Sequence, residues 1–377
     1  MLISMRFSEV AGHAELKQQL IQSVAEGRVP HAQLFLGPQG SGSLALALAY
    51  ATYLSCQERQ EEDSCGHCPS CLKYDRLIHP DLHFVFPVFT TKSISKPVSD
   101  DFIAEWRTAL LENPYLTQNQ WYSQIGMENK QGSILTRESE EIMKKLQLKS
   151  YESDFKVMII WMPERMNQTA ANKLLKLIEE PPPMTIFLMV PEDTGPMLPT
   201  ILSRTQQIRV PRIREEDLLE ALKKKHQVSD ETLQSAVKIA GGNYVIAEEN
   251  IRASEDSAYQ LELFIRIMRL AWAREFQEIF EWVEELAGLG RERQKAFLAY
   301  VIRMIRENYL LNKEQGELVR MTADESDFSK KFFPFINDRN VPAMVQELNE
   351  ASIHIEANAY ARIVFLDFAL KLVKLIR

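Results

Sequence analysis

The 377-residue chain predicts an α/β domain built on a parallel sheet, followed by an all-helical C-terminal domain. Three observations carry that expectation. Short apolar runs alternate with helix-periodic stretches as far as about Pro211. A glycine-rich loop, residues 37–44, joins one such run to a helical stretch. From Ala253 onward the apolar residues recur almost only at helical spacing.

The first strand is expected at residues 33–36 and the helix after the loop at 45–54. Between them the loop reads G-P-Q-G-S-G-S-L, with Gly37, Gly40 and Gly42 where backbone amides converge on phosphate. A working loop continues with a lysine for the β- and γ-phosphates and a hydroxyl residue for magnesium, whereas this chain has Ser43 and Leu44. The glycines alone fit an ordinary strand-to-helix turn equally well. A second position decides between the readings. Residues 155–160 (F-K-V-M-I-I) form a buried-strand pattern, and the strand beside a phosphate loop ends in acidic residues that hold magnesium. Here Trp161 and Met162 occupy those positions, and the nearest carboxylate is Glu164. The expectation is an inactive ATPase site, with no ATP bound by this chain itself.

All four cysteines fall in one segment, Cys56, Cys65, Cys68 and Cys71, spaced C-x8-C-x2-C-x2-C. Such spacing suits a closed structural Zn²⁺ site, with Gly66 and Pro69 turning the chain between ligands and His67 as a spare donor. Paired disulfides are the competing reading, but the N-terminus M-L-I-S-M-R-F-S lacks the long apolar core of a secretory signal. The segment 57–64 is acidic and would repel nucleic-acid phosphate. A formal charge of -8 likewise confines any DNA contact to a local patch, and Lys144-Lys145 and Lys223-Lys224-Lys225 read as solvated helix faces. A hydrophobic content of 45% supports large cores, and no apolar run approaches the ~18 residues of a membrane span, so a cytoplasmic location is expected.

Further strands are expected at 85–88, 157–160 and 185–190, and a helix at 167–180 that buries Leu174, Leu175 and Ile178 and is stopped by Pro181-Pro182-Pro183. Residues 90–136, with Trp106, Trp121 and Gly126, read as an insertion of short helices and loops. Two short helices at 215–225 and 230–240 end at Gly241-Gly242-Asn243. Beyond them, stripes such as Leu263, Ile267, Leu270 and Trp272, or Phe276, Ile279, Phe280 and Val283, predict helical-bundle core, with a surplus face available for oligomerisation.

Taken in order, F-S-E-V-A-G-H (7–13), R-V-P-H-A-Q-L-F-L-G (28–37), the altered loop, the four cysteines, H-P-D-L (79–82), M-N-Q-T-A-A-N-K-L-L-K-L-I-E-E-P-P (166–182), L-P-T-I-L-S-R-T (198–205) and A-N-A-Y-A-R-I-V (357–364) resemble the delta-prime subunits of bacterial clamp loaders. The likeness covers nearly the whole chain apart from the insertion. It implies a P-loop AAA+ base domain at 1–212 with a zinc knuckle at 56–71, a small helical lid at 213–252 and a helical collar at 253–377. It also implies an accessory role without ATPase activity of its own. The subunit is a scaffold beside motor ATPase and delta-type subunits, in a complex that places the sliding clamp on primed DNA. In the family a Ser-Arg-Cys motif presents an arginine to ATP in the neighbouring motor subunit, and Ser203-Arg204-Thr205 matches it with threonine for cysteine. The lid arginine of active relatives has no counterpart in Gly242-Asn243-Tyr244-Val245-Ile246-Ala247, and His31 falls in a structural His-Ala segment. Two other functions fit the residues less well. An active motor ATPase needs the missing lysine and acidic pair, and a zinc-dependent DNA-binding regulator needs a basic surface around the cysteines.

Overall fold

A computed structural model describes residues 5–91, 94–126, 132–147, 149–193, 195 and 197–376. Parts of the 90–136 insertion and the first four residues, which the signal-peptide reading used, lie outside the described residues. The chain divides into two compact units, Met1–Ile251 and Arg252–Arg377, and the division falls within the helix Tyr244–Ala273.

The first unit is organised by five parallel strands: β1 (Ala32–Leu36), β2 (Leu82–Val85), β3 (Lys156–Trp161), β4 (Thr185–Val190) and β5 (Gln206–Arg209). Their order across the sheet is β2-β3-β4-β1-β5, registered by Val85 against Ile160, Trp161 against Val190, Ala32 against Phe187 and Leu36 against Arg209. Strands β3 and β4 are buried along their whole length, as parallel strands covered on both faces must be. Strand β1 lies between β4 and β5, so the loop that follows it is beside the end of β4, with the end of β3 one strand further across the sheet and still bordering the loop through Trp161.

The expected strand at 85–88 is shifted: pairing covers Leu82–Val85, and Val88 instead makes an isolated antiparallel bridge to Ser133. Pro87 lies between the two and has no N–H to donate to a ladder. The helix expected at 167–180 spans Gln168–Glu179, capped by the Asn167 side chain accepting the Ala170 N–H. The pair Glu215–Lys225 and Asp230–Ala240 forms as expected, and Gly241 closes the second in the left-handed conformation at φ 52°.

Within the insertion, the helices Ile103–Glu112 and Gln118–Gln124 carry Trp106 and Trp121 into the core, both fully buried. Trp106 stacks on Phe86 with centroids 4.2 Å apart and meets Trp121 and Trp161 at 5.1 Å each. The Trp121 indole donates to the Pro87 carbonyl at 3.0 Å, which satisfies its polar atom. The segment is therefore part of the domain's core, reaching the end of β3.

On β2, burial first and then the Lys145 and Lys156 ammonium groups push the His83 imidazole down to about 4. An unfolded imidazole titrates near 6.5, so between those values the unfolded chain binds the extra proton and stability falls with falling pH. Burial raises Glu138 and Glu192 to about 7, and these carboxyls act in the opposite sense. The acid limb assigned to His83 is therefore isolated by comparison: thermal midpoints of the wild type should decline more steeply from pH 6.5 to 4 than those of His83→Gln.

In the second unit, Phe276–Gly288 packs against Ala361–Leu375, and Arg291–Asn312 against Val341–Glu356. Leu263, Ile267, Ile279 and Val283 are buried in this core around Trp282. Trp272, Phe276 and Phe280 are not, at 63%, 48% and 53% exposed, which corrects their assignment to the bundle interior. Phe276 and Phe280 are four residues apart on one face of their helix, while Ile279 and Val283 lie on the buried one. The helix has more apolar surface than its own unit covers. No helix among the described residues is long and apolar enough to cross a membrane.

Candidate functional site

The loop between β1 and the helix Ser43–Ser55 turns on glycines. Gly40 and Gly42 sit at φ 76° and 88°, and Gly42 is the N-cap residue, its carbonyl accepting the Leu46 N–H at 2.8 Å. A Cβ on Gly37 would lie 2.4 Å from Ser41 Oγ and 2.5 Å from the Val210 carbonyl, so no other residue fits there without displacement. The helix behind the loop is buried on every side, in keeping with its alternating alanine and leucine.

What the loop offers a ligand is limited. Ser43 and Leu44 are 8% and 4% exposed, and Ser43 Oγ is 3.1 Å from Ser41 Oγ. Trp161 and Met162, at the end of β3, are buried, with Met162 in the left-handed conformation at φ 56°. Glu164 is committed elsewhere, accepting the backbone N–H groups of Glu192 and Asp193 at 3.0 and 3.2 Å. Glu192 borders the loop, a carboxylate that sequence reasoning passed over because it follows β4 rather than β3. Burial and the neighbouring Glu164 raise its carboxyl to about 7. The cavity over the loop has a volume of about 40 Å³, and Tyr115 and Leu116 of the insertion line it. Neither residue was singled out from sequence, since no motif surrounds them.

Two flanking segments close on the loop. His13, at φ 62°, places Nε2 2.7 Å from the Ser41 carbonyl, and burial holds its imidazole below the ordinary range. Asn243 caps the helix Tyr244–Ala273, its side-chain oxygen accepting the Val245 and Ile246 N–H groups at 3.0 and 3.2 Å. Val245 is buried and Ile246 is 40% exposed.

Arg204 lies at a different place, between the short helix Pro199–Leu202 and strand β5 at the sheet edge. Its Nε donates to Glu179 Oε1 at 2.6 Å, and Nη1 donates to the Thr200 carbonyl at 3.2 Å. Ser203 Oγ donates to the same carbonyl at 3.2 Å, and the Thr205 hydroxyl to that of Ile201 at 3.0 Å. The ion-pair side chains are 40% and 46% exposed, a setting in which such pairs contribute only about 0–1 kcal/mol and exchange partners easily. His31 is tied to the Ile178 carbonyl through Nε2 at 2.9 Å.

The four cysteines converge. Cys56, Cys65, Cys68 and Cys71 are buried free thiols whose Sγ atoms all lie within 4.8 Å of one another. Cys65 and Cys71 sulfurs are 3.9 Å apart, close to the about 3.8 Å edge of a tetrahedron with 2.3 Å metal–sulfur bonds. Backbone N–H groups of Cys65, Cys68 and Cys71 donate to the sulfurs of Cys56, Cys65 and Cys68 at 3.3 to 3.5 Å, which favours thiolates. The four therefore form a set able to hold a metal ion. His67 stays outside it, exposed and 3.6 Å from Glu58. Asp63, inside the acidic segment, accepts the N–H groups of Phe7 and Ser8 at 3.0 and 2.9 Å and so ties the cysteine region to the start of the chain.

Residues 12–214, which contain the loop, the cysteines and Arg204, match the family described as DNA polymerase III, delta subunit. The chain belongs to this family. A DNA polymerase III subunit delta' from Yersinia pestis is 31% identical over 189 residues, 50% of this chain and 43% of that protein. One from Haemophilus influenzae is 27% identical over 234 residues, 62% of this chain and 59% of its own length. The chain spans about half the length of the curated relatives it matches. Among solved structures, a DNA polymerase III gamma subunit-related protein from Thermotoga maritima aligns with 97% of this chain and 100% of its own at 14% identity, with a TM-score of 0.39.

Proposed function

We propose that the chain is a delta-prime-type clamp-loader subunit without ATPase activity of its own, which takes part in placing the sliding clamp on primed DNA. Its partners are motor ATPase and delta-type subunits, and its part in their chemistry is to present Arg204, steadied by Ser203, to ATP bound next door. The observation that carries this reading is the contrast between the two sites. The loop retains glycine geometry but has Ser43, Leu44, Trp161 and Met162 where the cation and the oxygens belong, whereas Arg204 is exposed and loosely paired. A guanidinium brought to developing phosphoryl charge acts equally well from outside the chain that binds ATP. In this reading residues 1–212 are an AAA+ base, 213–252 a lid and 253–377 a collar. Cys56, Cys65, Cys68 and Cys71 hold a structural Zn²⁺, which when bound crosslinks the knuckle and takes no part in catalysis.

Two measurements test the proposal. The purified chain with magnesium and ATP should show no turnover, and Ser43→Lys should not create any, because Leu44, Trp161 and Met162 still leave the metal without oxygen ligands. Mixed with the gamma/tau-type motor subunit and a delta-type subunit, the chain should be required for DNA-stimulated ATPase and clamp loading. Turnover by the chain alone at a motor-like rate would sink the reading.

A further inference from the structure

We propose that Tyr115 is a built-in occupant of the loop's cradle, replacing bound nucleotide as the bond between the sheet and the segment that follows Gly242. The inference rests on reading residues 37–44 as a nucleotide-type loop, and goes beyond it by identifying what fills the space.

The ring is held from three sides and its backbone from a fourth point. Its face stacks on Tyr244 with centroids 3.8 Å apart and planes within 8°. Its hydroxyl oxygen accepts the buried Ala11 N–H at 2.8 Å. Its edge approaches the loop so closely that a Cβ on Gly42 would stand 2.8 Å from Cε1. Behind it, the Asn113 side chain accepts the Tyr115 N–H at 3.0 Å, fixing the turn between the helices Ile103–Glu112 and Gln118–Gln124. Tyr115 is 6% exposed.

The residues it stacks against are themselves fastened to the loop. The Tyr244 N–H donates to the Gly40 carbonyl at 3.0 Å, and the Asn243 side chain covers Gly40, where a Cβ would come within 1.9 Å of Oδ1. Ala11 lies two residues before His13, whose ring bonds the Ser41 carbonyl. One aromatic side chain thus joins the loop, the segment around Ala11 and the turn after Gly242. The remaining space of about 40 Å³ is several times smaller than the about 300 Å³ at which small-molecule sites begin. Restoring the lost charges would not by itself restore a ligand site, because the volume is taken.

The test compares full-length variants with magnesium-ADP as probe. The double substitution Ser43→Lys with Leu44→Thr returns the phosphate and magnesium groups but leaves Tyr115, and should bind no ADP at millimolar concentration. Adding Tyr115→Ala should bring ADP binding to a dissociation constant below about 0.1 mM, at least tenfold tighter than the millimolar limit the double variant fails to reach. In parallel, hydrogen exchange of residues 215–247 should quicken at least tenfold in the single variant Tyr115→Ala and stay near wild type in Tyr115→Phe, which keeps the ring. Should the alanine variants not fold, Tyr115→Val takes their place, since it keeps an apolar side chain while removing the ring and opening most of its space. ADP binding by the double variant, equal failure of the triple variant, or unchanged exchange in the single one overturns the proposal. The proposed function is judged separately: wild-type chain that supports its partners' ATPase while these variants fail would leave that function standing.

Discussion

Arg204→Ala, built into an otherwise complete clamp-loader assembly, is expected to lower the ATP turnover of the motor site it faces by about 10³-fold, the lower end of what an arginine supplied to phosphoryl transfer contributes. Three features make this variant informative. Arg204 is exposed and its partner Glu179 is equally so, so truncation should cost the fold no more than about 1 kcal/mol. It lies at the sheet edge beside β5, away from both the cysteines and the glycine loop, so zinc content and the loop's packing should not change. Arg204→Lys should recover little, because a single ammonium cannot reproduce the planar fork that spans two phosphate oxygens. The measurement is DNA-stimulated ATPase of the reconstituted complex, with circular dichroism and metal analysis on the isolated variant. Wild-type ATPase from the Arg204→Ala complex would remove the trans role and leave the chain as scaffold only.

For the zinc site proposed at the four cysteines, removing the metal should have the largest effect on stability. Chelation, or Cys71→Ser at the most deeply buried of the four ligands, is expected to take the purified chain from one zinc to none and to weaken the first unit by about 4 kcal/mol, in the range of a lost metal site. At roughly 2–4 °C per kcal/mol for a unit of this size, the unfolding midpoint should fall by about 10 °C. Four sulfurs enclosed within 4.8 Å and stripped of their ion leave mutually repelling thiolates, or thiols with poorly satisfied neighbours, in an apolar setting. The damage should also spread. Asp63 ties the cysteine segment to Phe7 and Ser8, so loss of the metal should speed hydrogen exchange at residues 7–13 as well as 56–71. A chain purified without zinc yet melting at the same temperature would overturn the assignment.

The parts of the fold legible in the sequence were those where one physical requirement dominates. Strands β3 and β4 lie buried on both faces, so they appear as unbroken apolar runs at 157–160 and 185–190. The helix Gln168–Glu179 has a capping asparagine at one end and prolines at the other. Strand β5 gave no such sign: of Gln206, Gln207, Ile208 and Arg209 only Ile208 is buried, because this strand is the sheet edge. Trp272, Phe276 and Phe280 misled for the converse reason, since helical spacing records which residues share a face and says nothing of whether that face is covered. In the candidate site, the sequence alone shows Ser43, Leu44, Trp161 and Met162 at the positions on which the inactive-site reading rests. The filling of the cradle was not. It depends on Tyr115, which lies 71 residues from Leu44 and reaches the loop only once Trp106 and Trp121 have anchored the insertion in the core.

The steric demands of Gly37 and Gly40 have a consequence for how such chains are recognised. A side chain at Gly37 would strike Ser41 and the Val210 carbonyl, and one at Gly40 would strike Asn243, whether or not any phosphate is ever present. The glycine signature is thus maintained by crowding within the protein itself. A glycine pattern of this kind is therefore no evidence, by itself, that a chain binds nucleotide.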